Sequence, residues 1–373
     1  KAQDMASSIL RDSGGPERID GEADIIGAPL KASVVKGLSV VQRLKLLLPS
    51  SRVRMPGLRD EINGPLVTDD QLKSAMSKKA WQPLWTKVDR GKGAALADKV
   101  LLGASFTARV PAQHMPTIPS VAVIESIIAE TNNSCAGPDG LAFQVYRTLA
   151  VHFAPLMHRL IVSLANGDDP PKGFNDALLF LISKGGSLTA LDTRPLSVTN
   201  TDARILAKCM VHAISPALEA AIGPHQAGFM AGRSGEKHFD AISNKFYGSV
   251  KDTKGRAYYC LFLDLYKAYD SIHWEWMEKT LTTIGLPPWV LNVVRGMLHE
   301  VRISPYFGTR CNIWLVISRG VRQGCPLSPL IFLVCYEPLL CRLAKVLPTV
   351  DRHAFADDLA VGTYNLDDLS GVM

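Results

Sequence analysis

Apolar residues recur along the chain with two periods, one helical and one strand-like. Val121, Ile124, Ile127 and Ile128 share one helical face, and Ser120 stands ahead of them as the residue that opens the helix. The helical pattern also covers Leu141–Asn166, Asp202–Ile214, Glu236–Val250, Trp274–Ile284, Pro288–Leu298 and Pro329–Ala344. Thr68 is placed to cap a helix from Asp69 to about Ala80, inside a stretch, residues 68–103, that reads as helical. Pro111, Pro116 and Pro119 then form a linker. Residues 1–60 are rich in Gly, Pro, Ser and charge and read as loop-like or partly disordered, apart from an amphipathic helix near Leu38–Leu48.

Shorter apolar and aromatic runs predict strands. Ala177–Ser183 has strand length, and Tyr258–Leu265 is aromatic and buried on at least one face. Val301–Phe307 and Cys311–Ile317 predict a hairpin around Gly308. His353–Phe355 and Leu359–Gly362 predict a second, with Ala356-Asp357-Asp358 at its tip. Strands and helices mix without strict alternation, which predicts an α+β fold. No internal repeat is evident.

With 373 residues and 47% hydrophobic content, the chain can build sizeable cores in two or three subdomains. The most apolar run, Leu327–Leu340, is broken by two prolines and Glu337, so no membrane span is expected. The chain begins Lys1-Ala2-Gln3-Asp4, without a signal-peptide pattern or an initiator Met. It is therefore expected to be a piece of a longer intracellular protein, nuclear or cytoplasmic. Seven cysteines, none spaced C-x-x-C, read as reduced thiols rather than a zinc site. The net charge of +6 is unevenly placed: residues 1–115 hold 18 Lys and Arg against 12 Asp and Glu, whereas the remainder is neutral. A basic leading segment suits a polyanion such as RNA or DNA, though a solvated surface explains it equally well.

The candidate chemistry lies in three carboxylates. Asp264 closes a predicted strand, and Asp357 and Asp358 sit between two apolar runs. Taken singly, a strand-closing Asp is usually a turn or cap residue, and an Asp pair is usually a hydrogen-bonded hairpin tip. On neighbouring strands, however, they can meet and hold two hard cations for phosphoryl transfer.

These segments resemble, in order over roughly residues 120–362, the reverse transcriptases of non-LTR (LINE-like) retrotransposons. Gly137-Pro138-Asp139-Gly140 resembles the G-x-D-G of the family's N-terminal motif. Leu181–Gly186 followed by Arg194-Pro195-Leu196-Ser197 resembles its fingers segment, and Gln226-Ala227-Gly228-Phe229 with Gly232-Arg233-Ser234 its "Q-x-GF … GRS". Asp264–Asp270 resembles motif A, Gly320–Pro329 motif B, and Phe355-Ala356-Asp357-Asp358 motif C. Ser183 replaces a usual proline, and Met230 a common arginine.

The resemblance implies a right-hand polymerase of fingers and palm, its antiparallel palm sheet packed on helices and its thumb missing. Residues 1–115 would form a basic N-terminal extension, 116–257 the fingers with the start of the palm, and 258–373 the palm, ending after motif C. It implies a metal set of Asp264, Asp357, Asp358 and the Leu265 backbone carbonyl, holding two Mg2+ ions with Mn2+ as an alternative. Lys184 and Arg194 would clasp the triphosphate. Tyr269 would lie under the incoming sugar and exclude a 2′-hydroxyl. Gln323 and Gly324 would line the nucleotide pocket. The implied partners are an RNA template, a DNA primer, dNTPs, and the endonuclease and thumb regions of the same polyprotein.

Duller roles stay open for Lys184 as a strand-end charge, Arg194 as an ion-pair member, Tyr269 as core packing and Lys267 as a surface residue. Asp270 is expected to cap the helix near Trp274, and Arg233 to pair with a carboxylate. Rival readings are a group II intron-type reverse transcriptase, a catalytically silent relic that at most binds nucleic acid, and a metal-dependent phosphatase or nuclease.

Overall fold

The computed structural model describes residues 55–86, 99, 102–103, 106–184, 188–250, 256–308 and 312–370. The helix expected near Leu38–Leu48, Gly185-Gly186 of the fingers-like segment and Cys311 at the start of a predicted strand lie outside them. Residues 57–373 belong to one compact unit.

Helix α1 (Asp70–Thr86) continues past the expected end at Ala80 and runs through Pro83. Its start is capped by Asp69 rather than Thr68: the Leu72 N–H donates to Asp69 Oδ1 at 2.9 Å. Helix α2 (Val121–Ala129) opens at Ser120, whose hydroxyl accepts from the Val123 N–H, and it buries Ile124 and Ile128 as its period requires. The single helix expected over Leu141–Asn166 is two, α3 (Phe143–Thr148) and α4 (Ala150–Ala165). They divide at Leu149, whose φ of −114° and ψ of 26° leave the helical range.

Strand β1 (Ala177–Ser183) pairs antiparallel with β2 (Thr193–Thr199), and α5 (Thr201–Ala221) and α6 (Gly235–Val250) follow. Then come β3 (Tyr259–Leu263), the short α7 (Ala268–Ser271), α8 (Trp274–Thr283) and α9 (Pro288–Leu298). The hairpin around Gly308 forms as β4 (Arg302–Pro305) and β5 (Leu315–Val316). Helix α10 (Ser328–Val346), β6 (Asp351–Phe355), β7 (Asp358–Thr363) and the short α11 (Asp367–Ser370) complete the order.

Two sheets result, confirming a mixed α+β fold. One is four-stranded in the order β2-β1-β4-β5, with β1 and β4 parallel. The other is three-stranded and antiparallel, with β7 between β3 and β6. Strand alternation gives that second sheet two unlike faces. Ala354, Leu359 and Val361 point into an apolar cluster formed with α2, α4, α5, α8, α9 and α10. Phe262, Asp264, Phe355 and Asp358 lie on the other, exposed face, with Phe262 73% exposed. A one-residue slip of β7 would drive Asp358 into the core.

Helix α1 reaches both edges of the four-stranded sheet. Trp81 and Trp85 stack with ring centroids 4.9 Å apart. Trp81 donates to the Ala190 carbonyl beside β2, and Gln82 bonds both ways with Val316 of β5. The six cysteines among the described residues are free. No helix of the described residues is long and apolar enough to cross a membrane.

Candidate active site

The register of the three-stranded sheet fixes where its carboxylates lie. Leu263 pairs with Leu359, so Asp264 leaves β3 next to the start of β7. Phe355 pairs with Asp358, which makes Ala356-Asp357 a two-residue turn and puts Asp358 in β7 rather than at the hairpin tip. Asp264, Asp357 and Asp358 line one cavity of about 670 Å³. The same cavity is lined by Lys184, Arg194, Leu265, Tyr269, Gln323 and Gly324. Every residue singled out from the sequence as a candidate for the site therefore meets in one place. Gly137–Gly140 does not: it packs at the start of α5, where the Asp139 N–H donates to Asn200 Oδ1.

The electrostatics of the acidic set start from burial. Burial first, and then the charges of Asp358 and Asp264, hold the Asp357 carboxyl above its ordinary value, with Lys184 opposing them. The donors are carboxylate and carbonyl oxygens, the set a hard divalent cation takes. Among the described residues no three His, Cys, Asp or Glu side chains are drawn together tightly enough to enclose a metal alone.

Tyr269 is half-buried and stacks on Phe332 of α10, with centroids 4.8 Å apart and planes 4° apart. Phe332 stacks in turn on Tyr336 at 5.6 Å, so α10 fixes the plane of the Tyr269 ring. Burial and the Asp357 charge push the Tyr269 hydroxyl up to about 12.

Gln323 and Gly324 hold the loop ahead of α10 against β2. The Ser197 N–H donates to the Gln323 carbonyl at 2.7 Å. Gly324 has φ of +105°, and a Cβ there would lie 2.6 Å from the Ser197 carbonyl oxygen, so only glycine fits. Lys184 directly follows β1, and Arg194 pairs across β2 with Ile182; both side chains are exposed.

Several residues were misread from the sequence or missed. Asp270 does not cap a helix: it is buried and accepts from Trp85 Nε1 at 3.0 Å and Gln323 Nε2 at 3.2 Å. Burial raises its carboxyl despite those bonds. Among the described residues Arg233 forms no ion pair with a carboxylate; it donates to the carbonyls of Glu219, Ile222, Gly223 and Gln226. Lys267 is no simple surface residue. Its ammonium lies 4.5 Å from the Trp81 ring centroid and donates to the Leu191 and Thr193 carbonyls. Phe229 also lines the cavity. Phe229, Lys267 and Ala356 have φ of 56°, 51° and 56°. Three left-handed non-glycine residues thus border one cavity, a concentration of backbone strain typical of functional sites.

A model of the family described as "Reverse transcriptase (RNA-dependent DNA polymerase)" matches residues 182–373. The chain is 27% identical over 248 residues to the "Transposon TX1 uncharacterized 149 kDa protein" of Xenopus laevis, covering 64% of this chain and 19% of that protein. It is 28% identical over 192 residues to the "Retrovirus-related Pol polyprotein from type-1 retrotransposable element R2" of Popillia japonica, covering 48% of this chain and 26% of that protein. It is 28% identical over 240 residues to the corresponding type-2 R2DM polyprotein of Drosophila melanogaster, covering 61% and 22%. The chain spans about a fifth to a quarter of the length of these curated relatives.

Proposed function

Since the chain belongs to the reverse transcriptase (RNA-dependent DNA polymerase) family, we propose that it is the fingers-and-palm core of a non-LTR retrotransposon reverse transcriptase. It transfers a nucleotide from a dNTP to the 3′-hydroxyl of a DNA primer on an RNA template. The observation that carries this reading is the single cavity that gathers the acidic set, the two cationic side chains, the stacked tyrosine and the Gln-Gly loop. A phosphatase or nuclease needs only the acids.

Each residue then has a role set by its surroundings. Asp264, Asp357, Asp358 and the Leu265 carbonyl hold two Mg2+ ions, with Mn2+ able to replace them. When bound, such ions lower the pKa of the primer hydroxyl and neutralise the triphosphate and the leaving pyrophosphate. Lys184 and Arg194, on paired strands β1 and β2, bind triphosphate oxygens; the guanidinium fork of Arg194 suits them geometrically. The Tyr269 ring, its plane set by Phe332, lies under the sugar and leaves no space for a 2′-hydroxyl. Gly324 lets the loop that lines the nucleotide pocket press against β2, and Gln323, tied to Asp270, keeps that loop in register.

The fingers fall to the segment around β1 and β2 within residues 116–257, and the palm to residues 258–373. Similarity to R2 Pol polyproteins and the TX1 transposon protein favours a retrotransposon source over a group II intron. The relatives' greater length fits endonuclease and thumb regions elsewhere in one polyprotein.

The test is primer extension by the full-length protein on an RNA template with Mg2+. Product should require added dNTPs, and its sequence should complement the template. Hydrolysis of the nucleic acid without dNTP incorporation would favour a nuclease. A folded protein that extends nothing would favour the silent relic.

A further inference from the structure

The turn that carries Asp357 is gripped from outside its own sheet. Its first residue, Ala356, has φ of 56°, a conformation that a non-glycine residue holds only when its surroundings impose it. The grip comes from Gln226, 130 positions earlier in the chain and fully buried. Its Nε2 donates to the Ala356 carbonyl at 3.0 Å. Its Oε1 accepts from the Ala356 N–H at 2.9 Å, and also from the Gly228 N–H at 2.9 Å. One side chain thus holds both backbone groups of the residue that precedes Asp357.

Backbone bonds seat the clamp. The Ala354 N–H donates to the His225 carbonyl at 2.7 Å, and the Ala227 N–H donates to the Ala354 carbonyl at 2.9 Å. Arg233 donates to the Gln226 carbonyl at 2.9 Å and ties the segment to the end of α5. The approach is close: a Cβ on Gly228 would lie 2.3 Å from the Ala356 nitrogen. The amide orientation is the only satisfying one, since reversing it would face an NH2 group against two N–H donors.

We infer that Gln226 is a positioning residue for the cation site: it fixes the Ala356–Asp357 turn in its left-handed form and thereby aims the Asp357 carboxylate. A buried glutamine that only filled the core would have no need to bind both backbone groups of one residue. Without the clamp, the strained turn is held by its own hairpin alone, and the Asp357 carboxylate can move out of line with Asp264 and Asp358. The inference rests on the cation-binding role proposed above for those carboxylates.

The experiment uses Gln226→Met, which keeps volume and removes all three bonds, Gln226→Glu, which keeps the acceptor and loses the donor, and Gly228→Ala, which wedges the same turn apart. Asp357→Ala is the reference. Two readouts are taken in the full-length protein: Mn2+ affinity by electron paramagnetic resonance without substrate, and kcat, dNTP KM and half-saturating Mg2+ in primer extension. Thermal melts followed by circular dichroism establish which variants fold. Should Gln226→Met fail to fold, Gln226→Glu and Gly228→Ala supply the same comparison.

Gln226→Met and Gly228→Ala should weaken Mn2+ binding and lower kcat by about 10- to 100-fold, the usual effect of losing a group that orients a metal ligand. Half-saturating Mg2+ should rise with them while dNTP KM stays within about threefold, and Gln226→Glu should fall between them and the parent. Folded variants that keep the parent's cation affinity and dependence, while Asp357→Ala loses both, would overturn the positioning role alone. Asp357→Ala with unchanged cation affinity and extension would overturn the cation-site reading, and this inference with it.

Discussion

Replacing Gly324 by alanine tests the architecture where the loop before α10 meets β2. An alanine forced to keep a left-handed backbone costs about 1–3 kcal/mol. The new Cβ would also stand 2.6 Å from the Ser197 carbonyl oxygen, which is backbone and has no flexible end to move aside. Relief requires β2 and the loop to part, which stretches the 2.7 Å bond from the Ser197 N–H to the Gln323 carbonyl. Losing that bond adds about 1 kcal/mol, for a total of roughly 2–4 kcal/mol. Gly140 provides the control. It also has positive φ, +77°, but nothing lies within 4 Å of its would-be Cβ, so Gly140→Ala carries the backbone cost alone. Urea unfolding of the full chain at 25 °C would measure both. Gly324→Ala should lose at least about 1 kcal/mol more than Gly140→Ala, and it should also depress primer extension. Equal losses for the two variants would refute the close approach to β2 as the reason for glycine.

Further outcomes follow from the same contacts. Tyr269→Ala should raise incorporation of ribonucleotides relative to deoxynucleotides by about 100-fold or more in competition assays, because it removes the ring proposed to exclude the 2′-hydroxyl. Arg194→Ala and Lys184→Ala should each raise dNTP KM by roughly tenfold with smaller effects on kcat, read from steady-state extension. Burial raises the Glu337 carboxyl from 4.5 to about 6. The folded chain then holds that proton more tightly than the unfolded one, so the contribution is present below pH 4.5 and is lost as pH rises through 6. Glu337→Gln should therefore gain about 1–2 kcal/mol in urea unfolding at pH 8 and nothing near pH 4.5.

What could be read in the sequence depended on how local its physical cause was. Ala177–Ser183 and Pro288–Leu298 form over the predicted spans, because an apolar run and a prolyl start are short-range signals. The break at Leu149 carries no glycine or proline, so one helix was expected where two form. Asp264, Gln323 and Asp357, ordinary residues taken singly, stood out because their segments resemble motifs A, B and C in order, and all of them reach one cavity. The supports of that cavity were not legible. Trp85 reaches Asp270 across 185 positions, and Gln226 reaches Ala356 across 130. Asp270 and Arg233 were assigned generic partners, a helix end and a carboxylate, because only the folded chain shows an indole, a glutamine and a row of carbonyls in their place.

The central claim is that Asp357, with Asp264 and Asp358, forms the cation-holding centre of a polymerase. The most direct measurement is single-turnover extension of a DNA primer on an RNA template by the full-length protein and its Asp357→Ala variant, at saturating dNTPs and Mg2+. The account predicts template-directed product from the parent and a rate lower by at least about 10³-fold in the variant, with unchanged thermal stability. Equal extension by a folded Asp357→Ala protein would contradict it.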